Sequence, residues 1–200
     1  DLVSRQLVDH HKQTAFIASE LGREYGLDED RQLDLVHAGM VHDVGALPLY
    51  ESLDDLETLS AEDVDGHAEL GAQLFCAFKP LIIAAEVIRN HHTSWQDGRG
   101  QEHNDEPVML ESHLLHLADR ISINVDPSRP ILSQVPEIRA HVTEGAPTLY
   151  HPELAELFQD LASVEAFWFD VVSPNLGSKL RHRSRSKTIV LDMDLALKFT

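Results

Sequence analysis

The stretch Leu33-Asp34-Leu35-Val36-His37-Ala38-Gly39-Met40-Val41-His42-Asp43-Val44-Gly45 decides how the rest of this chain reads. Its apolar residues Leu33, Leu35, Val36, Met40 and Val41 cover more than one side of a helix, so the helix predicted over about Glu29 to Asp43 is central in the fold. An imidazole and a carboxylate, His42 and Asp43, stand side by side near its end.

Outward from this segment the chain reads as a succession of helices. A first helix from Val3 to near Gly26 puts Val3, Leu7, His10, Thr14, Ile17 and Leu21 on one face, which includes His10 and leaves out His11. Pro48 breaks the chain, and the acidic residues Asp54, Asp55 and Glu57 are predicted in an exposed loop or short helix. Ser60 and Asp63 resemble a capping box that opens a third helix with the inward stripe Val64, His67, Gly71, Leu74 and Phe78. Pro80 suits the first turn of a fourth helix through Ala84, Val87, Ile88 and His91. Gln96 to Glu106 is polar and glycine-containing, hence a loop, and Pro107 starts a fifth helix carrying Leu110, Leu114, Leu117 and Ile121. Pro127, Pro130 and Pro136 are read as an irregular connection. Residues 152–172 are read as one or two helices ending in the core aromatics Phe167, Trp168 and Phe169. Ile189, Leu191, Met193, Leu195, Leu197 and Phe199 alternate with other residues, the pattern of a strand.

The fold class is therefore all-α: a helical domain over residues 1–172, then a basic linker with a short C-terminal strand over 173–200 that leads towards a further region. Because the first residues already belong to a helix, the expectation is a domain of a longer signalling protein. Composition narrows the partners. With 200 residues and 42% hydrophobic side chains the chain can bury one core. Cys76 stands alone and cannot form an internal disulfide, no apolar run approaches the roughly 20 residues that span a bilayer, and no leader pattern is present. The expected setting is cytoplasmic, with no membrane partner. Thirty-four acidic against 16 basic residues give a net charge of −18, which repels nucleic acid and acidic lipid from the body of the protein. The basic run Lys179, Arg181, Arg183, Arg185 and Lys187 lacks interleaved aromatics and is read as a solvated linker.

Thirteen histidines are a clear excess and suggest metal. His10, His67 and His91 fall on inward stripes, two doublets follow (His42-Asp43 and His91-His92), and Asp119 sits in the apolar run Leu114-Leu115-His116-Leu117-Ala118-Asp119. An unpaired carboxylate there would be costly. Imidazoles and carboxylates drawn from separate helices make a poor core unless they converge on metal. With no cysteine among these candidates, a structural zinc site is disfavoured; mixed nitrogen and oxygen donors suit iron or manganese, leave zinc or nickel open, and disfavour calcium or magnesium. His37, His113 and His116 are recruited by no spacing, His11, His103, His141, His151 and His182 are read as exposed or loop residues, and Trp95 as a packing residue.

These motifs resemble the HD-GYP branch of the HD-domain phosphohydrolases. His42-Asp43-Val44-Gly45 is similar to the HD signature, His67-Ala68-Glu69-Leu70-Gly71 to the next His-x-x-x-Gly element, and His91-His92-Thr93-Ser94-Trp95 to the His-His-Glu-x-Trp start of the GYP motif. Asp119 falls at the last metal-binding aspartate, Ser128-Arg129-Pro130 resembles the Arg-Pro-Tyr-Arg segment, and Gly145 through Leu154 resembles Gly-x-x-Phe-Asp-Pro-x-Leu. The resemblance covers about residues 1 to 165 and implies an HD-domain helical bundle with a dinuclear site. It implies His10, His42, Asp43, His67, His91, His92 and Asp119 as metal ligands, Asp43 as the bridge, His42 and Asp43 as the catalytic pair, and Arg129 as a contact to substrate phosphate. The implied cofactors are two divalent ions, iron or manganese. The implied reaction is hydrolysis of a cyclic dinucleotide, cyclic di-GMP or a related one, to a linear product by a metal-bridging hydroxide.

The chain departs from that pattern at four places. Ala46 stands where the family has lysine, Gln96-Asp97-Gly98-Arg99-Gly100-Gln101 replaces Gly-Tyr-Pro, Thr93 replaces glutamate, and Gln6 stands where trinuclear members have glutamate. The last points to two metals. The others raise two alternatives: a module that keeps the fold as a sensor or protein-binding unit without turnover, or a phosphohydrolase for another nucleotide.

Overall fold

The structure is a computed structural model that describes residues 5–46, 61–103 and 105–183, and it is built almost wholly of helices. The expected strand at 189–199, the acidic stretch at 54–57, the cap residue Ser60 and the basic residues Arg185 and Lys187 lie outside the described residues, as do the side chains of Val3, Gln6, Asp63 and Val64. The elements are α1 (Arg5–Tyr25), α2 (Glu29–Val41), α3 (Ala61–Cys76), α4 (Ile82–Arg89), α5 (Leu110–Ile123), α6 (Ile131–Gly145), α7 (Pro152–Leu161), α8 (Glu165–Val171) and α9 (Leu176–Arg183). A 3-10 turn over Lys79–Leu81 leads into α4. A second at Gln96–Gln101 and a two-residue hairpin, β1 (Glu102–His103) against β2 (Glu106–Pro107), occupy the expected loop.

Helix α1 is the axis of the bundle. It packs against α2, α5, α7, α8 and α9, and Thr14, Ala15, Phe16, Ile17, Ala18 and Leu21 are all buried, so it has almost no wet face along its middle. Gly26, at φ 92°, ends it: the Leu27 amide donates to the Gly22 carbonyl and the Gly26 amide to Arg23, the paired bonds of a Schellman cap. Asp28 then caps α2 by accepting from the Arg31 amide at 2.9 Å. Helix α2 touches α1, α4 and α5. It approaches α1 so closely at Gly39 that a Cβ there would lie 2.5 Å from the Ala15 Cα. Buried Leu35, Ile88, Leu114, Leu117, Ile121, Leu154, Phe158 and Trp168 complete one continuous core, each large side chain contributing about 1.5–3 kcal/mol by leaving water.

Several expectations require correction. Residues 131–145 form α6 rather than an irregular connection. Ile131, Gln134, Ile138 and Val142 turn inward at helical spacing, and this burial outweighs Pro136, whose missing N–H leaves only the carbonyl of exposed Leu132 without its helical donor. Leu74 lies on the outer side of α3, 45% exposed, and Phe169 on the outer side of α8, 53% exposed, whereas Phe167 and Trp168 are core. Helix α5 begins at Leu110, three residues after Pro107. Lys179 and Arg183 belong to a helix and not to a solvated linker: Leu176 and Leu180 of α9 are buried, Lys179 pairs with Asp170, and Arg183 bonds Ser19 and Glu20 and lies over the Phe16 ring.

Candidate metal centre

Five pieces of chain bring the seven predicted ligands to one place. His10 comes from α1, His42 and Asp43 from the turn that ends α2, His67 from α3, His91 and His92 from the turn after α4, and Asp119 from α5. The chain leaves helical geometry at Asn90 (φ −113°, ψ 16°), which frees His91 and His92 from the rotation of a continuing helix, whereas His42 keeps helical angles (φ −58°, ψ −35°). Close backbone contact sets the spacing between the first doublet and α3: a Cβ on Gly45 would stand 2.1 Å from the His67 carbonyl oxygen.

Asp43 divides the cluster. Its Oδ2 lies 2.9 Å from His42 Nε2 and 3.6 Å from His10 Nε2, while its Oδ1 faces His67 Nε2 at 3.5 Å and His91 Nε2 at 3.8 Å. Donor atoms of His10, His42 and Asp43 lie within 4.8 Å of one another, and so do those of Asp43, His67, His91 and His92. Asp119 Oδ1 joins the first group, 3.3 Å from His10 Nε2 and 3.4 Å from His42 Nε2.

Outer partners fix the imidazoles. His42 Nδ1 donates to the Gly39 carbonyl at 3.0 Å, His91 Nδ1 to the Ile88 carbonyl at 2.6 Å, and His10 Nδ1 is paired with Ser122 Oγ at 3.0 Å. Each bond leaves Nε2 turned to the centre, the arrangement by which second partners orient metal ligands. His91 Nε2 is buried with no hydrogen-bond partner among the described residues, a cost that coordination would remove. The donor set and this bare nitrogen fit a divalent ion.

The electrostatics agree. Burial would raise the Asp43 carboxyl, but His42, with His10 and His11, holds it well below the usual range. Burial likewise opposes ionisation of Asp119, and Arg120, then His10 and His42, override it. Burial lowers His42, yet Asp43 and Asp119 more than reverse that and carry it to about 10. His10 is raised in the same way, whereas burial and neighbouring imidazoles depress His91 and His92.

Sequence reasoning missed three neighbours of this centre. His11, expected to be exposed, is buried, with Nε2 3.6 Å from Asp43 Oδ2 and its ring 5.1 Å from that of His42, because the His42-Asp43 turn lies against it. His116 is buried one turn before Asp119, its ring 6.5 Å from that of His92 and 5.6 Å from that of Tyr150, and burial pushes it down to about 3. The spacing of three to Asp119 was the available signal. Arg120 holds Asp119 Oδ2 through Nε at 2.9 Å and Nη2 at 2.6 Å. Arg129 is not brought to the cluster: its guanidinium sits on Glu137, with Nη1 2.9 Å from Oε2. His151, expected in a loop, caps α7 through Nδ1 and packs on Trp95 at 4.0 Å between ring centres. Trp95 also meets His113 edge-on, as a packing residue.

Comparison with known proteins agrees with this geometry. The HD domain family matches residues 7–124. The 3'3'-cGAMP-specific phosphodiesterase 1 of Vibrio cholerae serotype O1 (strain ATCC 39315 / El Tor Inaba N16961) is 24% identical over 86% of this chain and 41% of its own length. The crystal structure of a V. cholerae cyclic GMP-AMP specific phosphodiesterase, V-cGAP3, superposes with a TM-score of 0.70 at 15% identity, over 95% of this chain and 52% of that one. The latter is a likeness of fold, and the chain spans about half the length of these relatives or less.

Proposed function

The chain belongs to the HD domain family, and on that premise we propose that it is a metal-dependent phosphodiesterase acting on a cyclic dinucleotide, cyclic di-GMP or 3'3'-cGAMP among the candidates. The observation that carries the reading is Asp43, whose two oxygens face two different sets of imidazoles. In this reading His10, His42 and Asp119 would hold one divalent ion and His67, His91 and His92 a second, with Asp43 able to offer one oxygen to each group. Nitrogen and oxygen donors of this kind favour iron or manganese.

Two such ions supply Lewis-acid activation of a phosphoryl group and a water nucleophile at neutral pH. The chain's own residues do the rest. Gly39, Ile88 and Ser122 orient the rings of His42, His91 and His10, so little reorganisation is needed when substrate arrives. Burial of the donors keeps bulk water from the reacting phosphate and strengthens every charge interaction there. Two metals offset both carboxylates, so a small dianionic nucleotide is accepted although the chain carries −18.

A second reading, a module that binds without turning over, is favoured by Ala46, a buried methyl group beside Asp43 that can neither carry charge nor move a proton. One experiment separates them. Anaerobically purified wild type, His42→Ala and Asp43→Ala are compared for metal content and for hydrolysis of a panel containing cyclic di-GMP, 3'3'-cGAMP and linear dinucleotides. Bound metal with turnover in the wild type alone is expected. Equal activity in all three, or a wild type that holds no metal after reconstitution, refutes the proposed function; tight binding without product supports the module.

A further inference from the structure

We propose that Arg120, rather than Arg129, binds the phosphate of the substrate at this centre, through the outer edge of its guanidinium. The inference deepens the phosphodiesterase reading and rests on it for the identity of the ligand. A guanidinium presents five N–H donors along two usable edges, one formed by Nε and one terminal nitrogen and one by the two terminal nitrogens. In Arg120 the inner edge is spent on a single oxygen, since Nε and Nη2 both donate to Asp119 Oδ2. The other oxygen, Oδ1, is left to face His10 and His42. Nη1 has no hydrogen-bond partner among the described residues and the side chain is 34% exposed, so the protein leaves the outer edge unused.

Arg129 shows the contrary arrangement. Its Nη1 and Nη2 are both taken by the Glu137 carboxylate, at 2.9 and 3.3 Å, which occupies the edge a phosphate would need. Position separates the two residues as well. Asp119 touches the donor cluster directly, so a group locked to its far oxygen stands one carboxylate away from any metal held there. A phosphate drawn to such metals would present a non-bridging oxygen to Arg120, and the planar fork matches two such oxygens as a lysine cannot. A second polar group is near Arg120. Tyr150 is buried, its hydroxyl has no hydrogen-bond partner among the described residues, and it lies within the electrostatic reach of Arg120. The region around the guanidinium therefore holds more donor capacity than the protein itself uses.

The simpler role, holding Asp119 in place, predicts different behaviour and can be separated. Arg120→Gln keeps one N–H donor for Asp119 Oδ2 and removes both the charge and the outer fork. Arg120→Lys keeps the charge and one bond. Each variant and the wild type, as the metal-loaded chain with metal content measured on the same sample, are titrated with inorganic phosphate by calorimetry and assayed against the cyclic dinucleotide panel. We expect unchanged metal content, phosphate affinity weakened at least tenfold and KM raised at least fivefold in Arg120→Gln, with Arg120→Lys between it and the wild type. Phosphate affinity within twofold of wild type in a fully loaded Arg120→Gln overturns the inference. So does a loss of affinity that vanishes on metal saturation, which would leave Arg120 only a positioning residue for Asp119. If Arg120→Gln does not fold, a fully loaded Arg120→Lys with wild-type phosphate affinity and KM overturns it equally. A wild type that hydrolyses no member of the panel refutes the proposed function instead, and the phosphate titration still decides the role of Arg120.

Discussion

Gly45→Ala tests whether backbone spacing sets the metal centre. The added Cβ would stand 2.1 Å from the His67 carbonyl oxygen and 2.7 Å from the Gly71 amide nitrogen. Both obstacles are backbone atoms of α3, so no side-chain rotation relieves them, and α3 has to withdraw by roughly 1 Å to restore ordinary van der Waals contact. That helix carries His67, whose Nε2 is 3.5 Å from Asp43 Oδ1, so the withdrawal is applied almost directly to a donor pair. Overpacking of this kind costs about 1–3 kcal/mol of stability, and a 1 Å misplacement within a site costs on the order of 100-fold in what the site does. Gly66→Ala is the matched control: it lies on the same helix, its Cβ would meet nothing within 4 Å, and it should gain up to about 1 kcal/mol from helix propensity. The assay is metal affinity by chelator competition, with metal content and thermal unfolding measured on the same preparations. Gly45→Ala should lower the melting temperature by several degrees and weaken one of two metal-binding steps at least tenfold, while Gly66→Ala binds as wild type and melts no lower. Wild-type metal affinity in Gly45→Ala would refute the argument that the approach of the His42-Asp43 turn to α3 holds His67 in range.

Three further outcomes follow from the geometry. Metal loading at pH 7 should release protons, because His42 in the metal-free protein titrates at about 10 and is bound as its neutral form; calorimetry in buffers of different ionisation enthalpy reads the number, and a release indistinguishable from zero contradicts the assignment. In the metal-free protein, stability should peak near pH 6.5. The raised His42 contributes stability that is full below 6.5 and lost as pH climbs towards 10, whereas the depressed His116 contributes stability that is full above 6.5 and lost as pH falls towards 3, each at up to about 1.4 kcal/mol per pH unit. Metal should flatten the alkaline limb, and a metal-free melting temperature that is level from pH 6.5 to 9 would count against it. Tyr150→Phe removes a buried hydroxyl without a partner, so it should leave unfolding free energy unchanged or raise it by about 1 kcal/mol in denaturant titration, and a loss above 1 kcal/mol would show that the hydroxyl is satisfied.

How far this protein could be read from its residues differs from element to element. Helices α1 to α5 were legible because their apolar residues recur at three and four and their ends carry signals such as Gly26 and Pro80, which act through local backbone geometry. Helix α6 was missed because prolines punctuate so strongly that the stripe Ile131, Gln134, Ile138 and Val142 was discounted, although burial of that stripe is what decides the segment. His10, His67, His91 and Asp119 were legible as polar groups on apolar faces, where only a shared ligand or partner makes their burial tolerable.

His11 was not legible by that logic. A one-sided stripe puts the next residue on the wet side, but the His42-Asp43 turn lies against this end of α1, so the neighbour of His10 is enclosed as well. The two arginines show the same division. The sequence pointed to Arg129 and passed over Arg120, and what distinguishes them in the structure is whether a carboxylate already fills the outer edge of the guanidinium. By itself the sequence determined the all-helical class and nominated seven donors in their order along the chain, because propensity, capping and the cost of burying an unpaired charge are local or nearly so. Tertiary structure alone decided that Asp43 faces two sets of imidazoles, that His11 and His116 are enclosed beside them, and that Arg120 is the cation at the centre. Those are relations between helices far apart in sequence, and they depend on the close approaches at Gly39 and Gly45.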